Sequence, residues 1–245
     1  MKIAVFSDIH ANATALIAVL NEVDRLGIVK IIACGDLVGY YYRAKEVLDL
    51  LKDRDFVSCR GNHEDLFYTW CVGSGQEKEA LKKKYGSCFQ VAENELSCGQ
   101  QSMLFSLKHP IFLEFDNRKF CISHGTPWNI NQYAYFDQIE KIEASFLKHV
   151  PDVEMVFLGH THYQGIKKIK NIVVVNPGSL GQPRSGTRYN NEGFKTARAQ
   201  WAIVETNDLN VSFMTTLYNA DSLFEEIDRY EQDPLYLRKV LYRTD

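Results

Sequence analysis

The chain of 245 residues carries 28 basic and 31 acidic side chains, for a formal net charge of −3, and 45% of its residues are hydrophobic. That length suffices to bury a core without disulfides, and the lack of a basic excess excludes avid, non-specific nucleic-acid binding. No apolar run approaches the roughly 18 residues that a membrane-spanning helix needs. We therefore expect one domain over residues 1–245, away from the membrane.

Cysteine usage indicates the compartment. The six cysteines show no C-x-x-C pairing, and three of them lie in or beside apolar, strand-like runs. They are Cys34, Cys59, Cys71, Cys88, Cys98 and Cys121. Such cysteines behave as small hydrophobic residues in a reducing setting, and the first residues lack the apolar stretch of a secretion signal. The sequence predicts a cytoplasmic protein.

The first third of the chain alternates short apolar runs with amphipathic stretches. Residues 2–7, 31–34 and 56–59 have the pattern of buried strands. Residues 13–26 and 44–51 have the 3.6-residue period of helices, the first with Asn12 as its N-cap. Alternating strands and helices predict a parallel sheet with right-handed crossovers.

The rhythm changes after residue 65. Polar helical segments at 66–72, 77–84 and 92–107 predict a helical insert at about 65–110. The remainder is mostly sheet, with a hairpin at 111–115 and 119–123, a helix at 136–149, and further strands at 154–158, 165–169, 172–175, 200–205 and 211–216. The polar, glycine-containing stretch at 183–196 predicts a loop, of a length that is usually functional or mobile.

Five blocks carry side chains that bind metals, and each follows an apolar, strand-like run. They are Asp8-Ile9-His10, Gly35-Asp36, Gly61-Asn62-His63-Glu64, His124-Gly125 and Gly159-His160-Thr161-His162. Residues two apart in an extended segment point the same way, so Asp8 and His10 can converge on one small volume. The same holds for His160 and His162. Five of the seven histidines lie in these blocks, which scattered structural histidines would not do.

The chemistry of these blocks narrows the choice of ligand. Carboxylates, imidazoles and one carboxamide, with no thiolate in register, suit manganese, iron or zinc rather than a cysteine-rich structural zinc. The candidate groups are too many for one ion. The sequence therefore predicts two metals that share a bridging carboxylate.

The ordered set D-x-H, GD, GNH[DE], H-G and GH-x-H resembles the calcineurin-like metallophosphoesterase superfamily. Asn176-Pro177-Gly178-Ser179 resembles its small bacterial and archaeal phosphodiesterase branch. The matching motifs run from Asp8 to about Arg184. The resemblance implies an α/β fold: a four-layer αββα sandwich of two mixed β-sheets with both metals at one edge of the sheets.

The resemblance also implies the ligand set. One metal takes Asp8, His10, Asp36 and His162, and the other takes Asn62, His124, His160 and the shared Asp36. His63 lies beside the metals as a catalytic acid or substrate-orienting group. The implied cofactors are two divalent ions, Mn²⁺ first, with Fe, Zn, Ni or Co as alternatives.

The implied function is a binuclear phosphoesterase that hydrolyses a phosphodiester or a small nucleotide by metal-activated hydroxide attack. A phosphomonoesterase or protein phosphatase, a nuclease, and a non-catalytic scaffold on the same fold are the alternatives. The full ligand set argues against the scaffold, and the lack of a basic stripe argues against the nuclease. The expected partner is a small phosphoester, without stable nucleic-acid binding.

Four further residues are candidates for substrate binding. Where many relatives carry a Gly-Pro turn, this chain reads Gly39-Tyr40-Tyr41-Tyr42-Arg43. Tyr41 and Tyr42 can wall a substrate entrance or stack a base, or else pack against the insert. Arg60 and Arg184 can pair with a phosphate, although each is equally compatible with a solvated cation or an ion pair.

Overall fold

The computed structural model describes residues 1–184 and 196–231, together with Leu237 and Leu241. The strands in this part of the chain are β1 (Lys2–Phe6), β2 (Lys30–Ala33), β3 (Asp55–Ser58), β4 (Ile111–Phe115), β5 (Arg118–Ile122), β6 (Met155–Phe157), β7 (Gln164–Ile169), β8 (Ile172–Pro177), β9 (Thr196–Glu205) and β10 (Asn210–Asn219). The helices are α1 (Ala13–Arg25), α2 (Ala44–Leu51), α3 (Asn62–Val72), α4 (Gly75–Tyr85), α5 (Cys88–Glu95), α6 (Cys98–Ser106), α7 (Glu143–His149) and α8 (Asp221–Tyr230), and a 3₁₀ helix spans Ile139–Ile142.

The strands form two mixed sheets. One has the order β10-β9-β1-β2-β3 and the other β4-β5-β6-β8-β7. β1, β2 and β3 are parallel to one another, as are β5, β6 and β8, while β9 and β4 pair antiparallel to their neighbours. Parallel strands point their carboxyl ends to the same edge of a sheet, so each sheet has one edge where several strand ends meet.

The central strands β1, β2, β6 and β8 are buried on both faces, which explains their unbroken apolar runs in the sequence. In β1, Ile3 and Val5 point into the layer between the sheets, while Ala4 and Phe6 point outward to a helical layer. β6 alternates in the same way: Met155 and Phe157 contact the shared layer, and Val156 contacts the helix on the other side. Because successive side chains of a strand point to opposite faces, one hydrophobic core lies between the two sheets, and a further core lies between each sheet and its helices.

The outer layers are helical. α1, α2 and the helices after β3 cover the first sheet, and the 3₁₀ helix and α7 cover the second. The predicted four-layer αββα sandwich is confirmed.

The helices after β3 differ in detail from the prediction. α3 begins at Asn62, so Asn62 and His63 are the first residues of a helix. The single helix predicted at 92–107 is wrong: α5 ends at Glu95 and α6 begins at Cys98. The break has a physical reason, since Leu96 is extended and Ser97 starts a new capping box with Gln100.

Three other predictions need comment. The helix predicted at 136–149 begins later, because residues 136–138 form a turn before Ile139. β9 and β10 extend beyond the predicted strands, and α8 had no counterpart in the prediction.

Most of the loop predicted at 183–196 lies outside the described residues. Among the residues that are described, no helix is long and apolar enough to cross a bilayer.

Candidate metal centre

The sequence-predicted ligands come together at the edge where strand ends from both sheets meet. Asp8 and His10 follow β1, Asp36 follows β2, and Asn62 follows β3. His124, His160 and His162 follow β5 and β6 in the other sheet. Direct contacts join the two sets: the His124 imidazole lies 2.7 Å from the Cys34 carbonyl, and the His160 backbone N–H donates to the Asp8 carboxylate at 3.1 Å.

The backbone at five of these residues is in the left-handed region. φ is 52° at Asp8, 53° at His10, 56° at Asp36, 67° at His160 and 63° at His162. Such conformations are uncommon outside glycine and cost on the order of 1–3 kcal/mol each, and they persist where the surrounding structure enforces them. The turn after each strand therefore aims its side chain at the cluster at the expense of local stability.

One group of acceptor atoms is formed by Asp8, His10 and His162. The Nε2 atoms of the two imidazoles are 3.2 Å apart, and His162 Nε2 is 3.1 Å from the Asp8 carboxylate. His10 Nδ1 donates to the Val38 carbonyl and His162 Nδ1 to the Gln182 carbonyl. In the neutral imidazoles each Nε2 then carries a lone pair and is a hydrogen-bond acceptor. The two Nε2 atoms and the Asp8 carboxylate therefore face one another as acceptors, and a cation between them would relieve their repulsion.

A second group lies around His124. Its Nδ1 donates to the Cys34 carbonyl, so the Nε2 of the neutral ring is an acceptor. That Nε2 is 2.9 Å from Asn62 Oδ1, 3.1 Å from His160 Nδ1 and 3.2 Å from Asp36 Oδ2. His160 uses its Nε2 to donate to the Asn131 carbonyl, which leaves its Nδ1 lone pair pointing at His124. All four groups thus present acceptors to one volume.

These residues fit a divalent metal. The ligand atoms of Asp8, His10 and His162 lie within 4.8 Å of one another, and so do those of Asp8, Asp36 and His124. The side chains are buried, and each imidazole is oriented by a backbone carbonyl, as ligating histidines in proteins are. Buried carboxylates, neutral imidazoles and a carboxamide form a borderline donor set for such ions.

The electrostatics of the cluster point the same way. Burial alone would raise the pKa of the Asp8 carboxyl, but His162 and His124 hold it below its usual range. Burial alone would lower the pKa of His124, but the carboxylates of Asp36 and Asp8 raise it to about 10. Near pH 7 these carboxylates therefore favour a proton on His124 Nε2, and a divalent metal ion would take the place of that proton.

Glu64 holds the Asp36 loop in place. Its side chain is fully buried, and its carboxylate accepts the backbone N–H groups of Gly61, Asp36 and Leu37 at 2.7, 3.0 and 2.8 Å. The bond from the Gly61 N–H is the one that an N3 side chain accepts from the N-cap backbone, so Glu64 also caps the start of α3. Burial and the Asp36 charge raise the pKa of this carboxyl to about 7.

His63 lies beside the ligands in an aromatic surrounding. Its ring centroid is 4.7 Å from that of His10, 4.8 Å from Tyr40 and 5.0 Å from Tyr85. One ring nitrogen lies within 4.8 Å of ligand atoms of His10 and Asp36, while Nδ1 has no hydrogen-bond partner among the described residues. Burial lowers the pKa of His63 to about 4, so the ring is neutral near pH 7.

The structure also locates the candidates for substrate binding. Tyr41 and Tyr42 are 1% and 2% exposed within the hydrophobic core, which favours the packing alternative over an entrance wall. Arg60 is in an ion pair with Asp65 at 2.8 Å, as its structural alternative predicts. Arg184 lies close to the cluster, since its backbone N–H donates to the His162 carbonyl at 3.0 Å.

Sequence reasoning missed an aromatic residue over the site. The ring of Tyr133 stacks on His160 with centroids 4.1 Å apart and planes at 19°, and its side chain is 51% exposed. The segment after His124 contains Trp128, Tyr133, Tyr135 and Phe136, a density of aromatic residues that was the available signal. Its position relative to His160 depends on the tertiary fold and had no signature in the sequence.

An αββα sandwich with buried carboxylates and imidazoles converging at strand ends defines a metal-binding hydrolase architecture. A profile described as the calcineurin-like phosphoesterase superfamily domain matches residues 1–197. The chain belongs to this superfamily, as the ordered motifs had indicated.

Individual proteins resemble this chain in sequence or in fold. An uncharacterized protein of Methanocaldococcus jannaschii is 27% identical over 246 residues, which cover 92% of this chain and 91% of that protein. A hypothetical protein from Pyrococcus horikoshii OT3 superposes with a TM-score of 0.82 at 21% identity, covering 100% of this chain and 98% of the other. A metallophosphoesterase from Sphaerobacter thermophilus gives 0.73 at 24% identity, covering 99% of each. At these identities the two structures show that the fold is shared.

Proposed function

We propose that this protein is a binuclear, metal-dependent phosphoesterase that hydrolyses phosphodiester or small nucleotide substrates. The observation that carries the proposal is the position of Asp36 between the two groups of acceptors. Its Oδ2 lies 3.8 Å from His10 Nε2 and 3.2 Å from His124 Nε2. One ion would be held by Asp8, His10, Asp36 and His162, and the other by Asp36, Asn62, His124 and His160.

The charges of the ligand set suit an anionic substrate. Bound divalent ions would activate a water and polarise the phosphoryl oxygens of the substrate. Asp8 and Asp36 are the carboxylates of the proposed set, while Asn62 and the imidazoles are neutral ligands. The loaded centre would therefore keep positive charge and attract a phosphate group.

His63 is the proposed catalytic residue. The pKa of His63 is low. Its buried Nδ1 atom has no hydrogen-bond partner among the described residues, so a substrate group could bind there. Gly39 permits this arrangement, because a Cβ on Gly39 would lie 2.0 Å from His63 Nδ1. We assign His63 to orienting the substrate. Once the negative charge of a bound phosphate has raised its pKa and protonated the ring, His63 would give a proton to the leaving oxygen, a contribution of about 100- to 10,000-fold.

Several finer points belong to the same proposal. Mn²⁺ is the first choice of metal, and Fe, Zn, Ni or Co would suit the same donors. The helices α3 to α6 are proposed to be a cap within a single domain. A cytoplasmic location stays a prediction that rests on the cysteine pattern.

A substrate panel with added Mn²⁺ tests the proposal. Aryl phosphodiesters, aryl phosphomonoesters, cyclic nucleotides and dinucleoside polyphosphates should be compared for wild type, Asp36→Asn and His149→Ala. His149 is exposed, and its ring contacts Trp128 rather than a proposed ligand. We expect manganese-dependent turnover of a diester or nucleotide by wild type and His149→Ala, and none by Asp36→Asn.

Other results on the panel would redirect the assignment. Turnover of monoesters alone would make the protein a phosphomonoesterase. Metal binding without turnover of any compound would favour the non-catalytic scaffold.

A further inference from the structure

The loop between β5 and the 3₁₀ helix is held against the candidate metal centre by two contacts. His160 Nε2 donates to the Asn131 carbonyl at 3.2 Å, and the Tyr133 ring covers one face of the same imidazole. The ring of Tyr135 is nearly parallel to that of Tyr133, with centroids 5.6 Å apart and planes at 12°. Parallel rings at that centroid distance overlap only in part, so Tyr135 leaves much of the Tyr133 ring uncovered, in line with the 51% exposure of this residue.

Burial does not explain why an aromatic residue occupies position 133. The side chain of Tyr133 is 51% exposed, whereas Tyr41 and Tyr42 are almost fully buried in the core. An exposed aromatic face gains little from packing, but it can stack a planar ligand at about 1–3 kcal/mol per base. Tyr133 thus has the surface that the buried tyrosines lack.

The charges near this ring are also suited to a nucleotide. The backbone N–H of Arg184 donates to the carbonyl of His162 at 3.0 Å, so this cationic residue adjoins the cluster. Lys84 Nζ lies 4.8 Å from the ring centroid of Tyr85, which itself contacts His63. Two cationic residues thus lie near the candidate site, Arg184 beside His162 and Lys84 beside Tyr85.

We propose that Tyr133 is a specificity-determining residue that stacks the base of a nucleotide substrate while its phosphate occupies the metal centre. This inference rests on the proposed phosphoesterase function. It moves substrate selection from the tyrosines at positions 41 and 42 to the loop after β5.

Two ligands that differ only in the base test the inference. Adenosine 5′-monophosphate and ribose 5-phosphate should be titrated calorimetrically into the manganese-loaded protein, and released phosphate should be assayed to separate turnover from binding. We expect wild type to prefer the nucleotide by at least about fivefold, the lower end of the range for one stacked base. Tyr133→Phe should keep the preference and Tyr133→Leu should lose it, without loss of metal.

Tyr68→Leu is the matched control, because Tyr68 is 45% exposed and its ring contacts Phe105 rather than the cluster. An unchanged preference in Tyr133→Leu would overturn the inference, as would a wild type that binds both ligands equally or neither. Loss of metal in Tyr133→Leu would also overturn it, since Tyr133 would then support His160. A base preference in a protein that hydrolyses no phosphoester would contradict the proposed function and leave the stacking role intact.

Discussion

At the residue scale, Glu64 acts on more than the start of its own helix. The carboxylate that caps α3 through Gly61 also receives N–H groups from Asp36 and Leu37, in the loop that carries the proposed bridging ligand. A buried carboxylate with several donors is expensive to disturb, because each donor left unpaired loses its solvation without compensation. Glu64 therefore couples the position of Asp36 to the start of α3.

Glu64→Gln should destabilise the protein by about 1–3 kcal/mol, because the amide nitrogen would face backbone N–H donors. Chemical denaturation measures the loss, and Mn²⁺ affinity should fall with it. Glu77→Gln is the matched control. Glu77 caps α4 through Ser74 in the same kind of box, but in an exposed position, so we expect a loss of only about a few tenths of a kcal/mol. Equal losses in the two variants would remove the special role of Glu64.

His63→Ala should keep its metal and lose turnover. The loss should be largest for substrates with poor leaving groups and smallest for nitrophenyl esters, because a good leaving group needs no proton. Steady-state kinetics across a leaving-group series, with metal analysis of the same samples, measures both effects. His149→Ala should behave as wild type. Loss of metal in His63→Ala would make His63 a ligand, and equal losses across the series would argue against the acid role.

At the element scale, a partly buried junction joins three parts of the chain. Glu231, just after α8, accepts from the Tyr42 hydroxyl at 2.9 Å and from the backbone N–H and hydroxyl of Ser87 at 2.8 and 2.7 Å. Tyr42 belongs to the loop after β2, and Ser87 lies between α4 and α5. The junction thus fixes the helices that cover His63 relative to the first sheet.

We expect Tyr42→Phe to cost about 0.5–1.5 kcal/mol, because one hydrogen bond to Glu231 is lost while the Ser87 donors remain. Tyr42→Ala should cost about 3–5 kcal/mol, as for other large aromatic residues removed from a core. Denaturation of both variants gives these values. Kinetics should change equally for nucleotide and aryl-ester substrates. A rise in KM for nucleotides alone, at unchanged stability, would restore Tyr42 to the substrate wall.

The elements also mark what sequence could and could not predict. β1 and β2 were predictable because both faces of each strand are buried, which leaves an apolar run ending at a ligand block. The break between α5 and α6 was missed, because the capping box at Ser97 lies inside a stretch that has helical propensity throughout. α8 was missed as well, although its apolar stripe buries Leu223 and Ile227.

At the scale of the whole molecule, the candidate centre joins the two sheets. Its ligands follow β1, β2 and β3 of one sheet and β5 and β6 of the other. The sequence could predict which residues gather at this centre, because the blocks are local and ordered. The stacking of Tyr133 on His160 and the burial of Tyr41 and Tyr42 could not be predicted, because both depend on how loops pack across the assembled sheets.

Metal binding should therefore stabilise the whole fold. Mn²⁺ at about 100 times its dissociation constant should raise the free energy of unfolding by about 2.7 kcal/mol per site, and Tm should rise with metal concentration. Thermal unfolding followed over a metal titration measures the effect. Asp36→Ala should respond much less, and a response equal to that of wild type would mean that the ion binds elsewhere.

Metal stoichiometry tests the central claim most directly. Wild type, Asp36→Ala and the control His149→Ala should be reconstituted with Mn²⁺, freed of excess metal and analysed by inductively coupled plasma mass spectrometry. If Asp36 bridges two ions, wild type and His149→Ala will approach two equivalents per chain and Asp36→Ala will lose both. A single equivalent in wild type that survives Asp36→Ala would contradict the account.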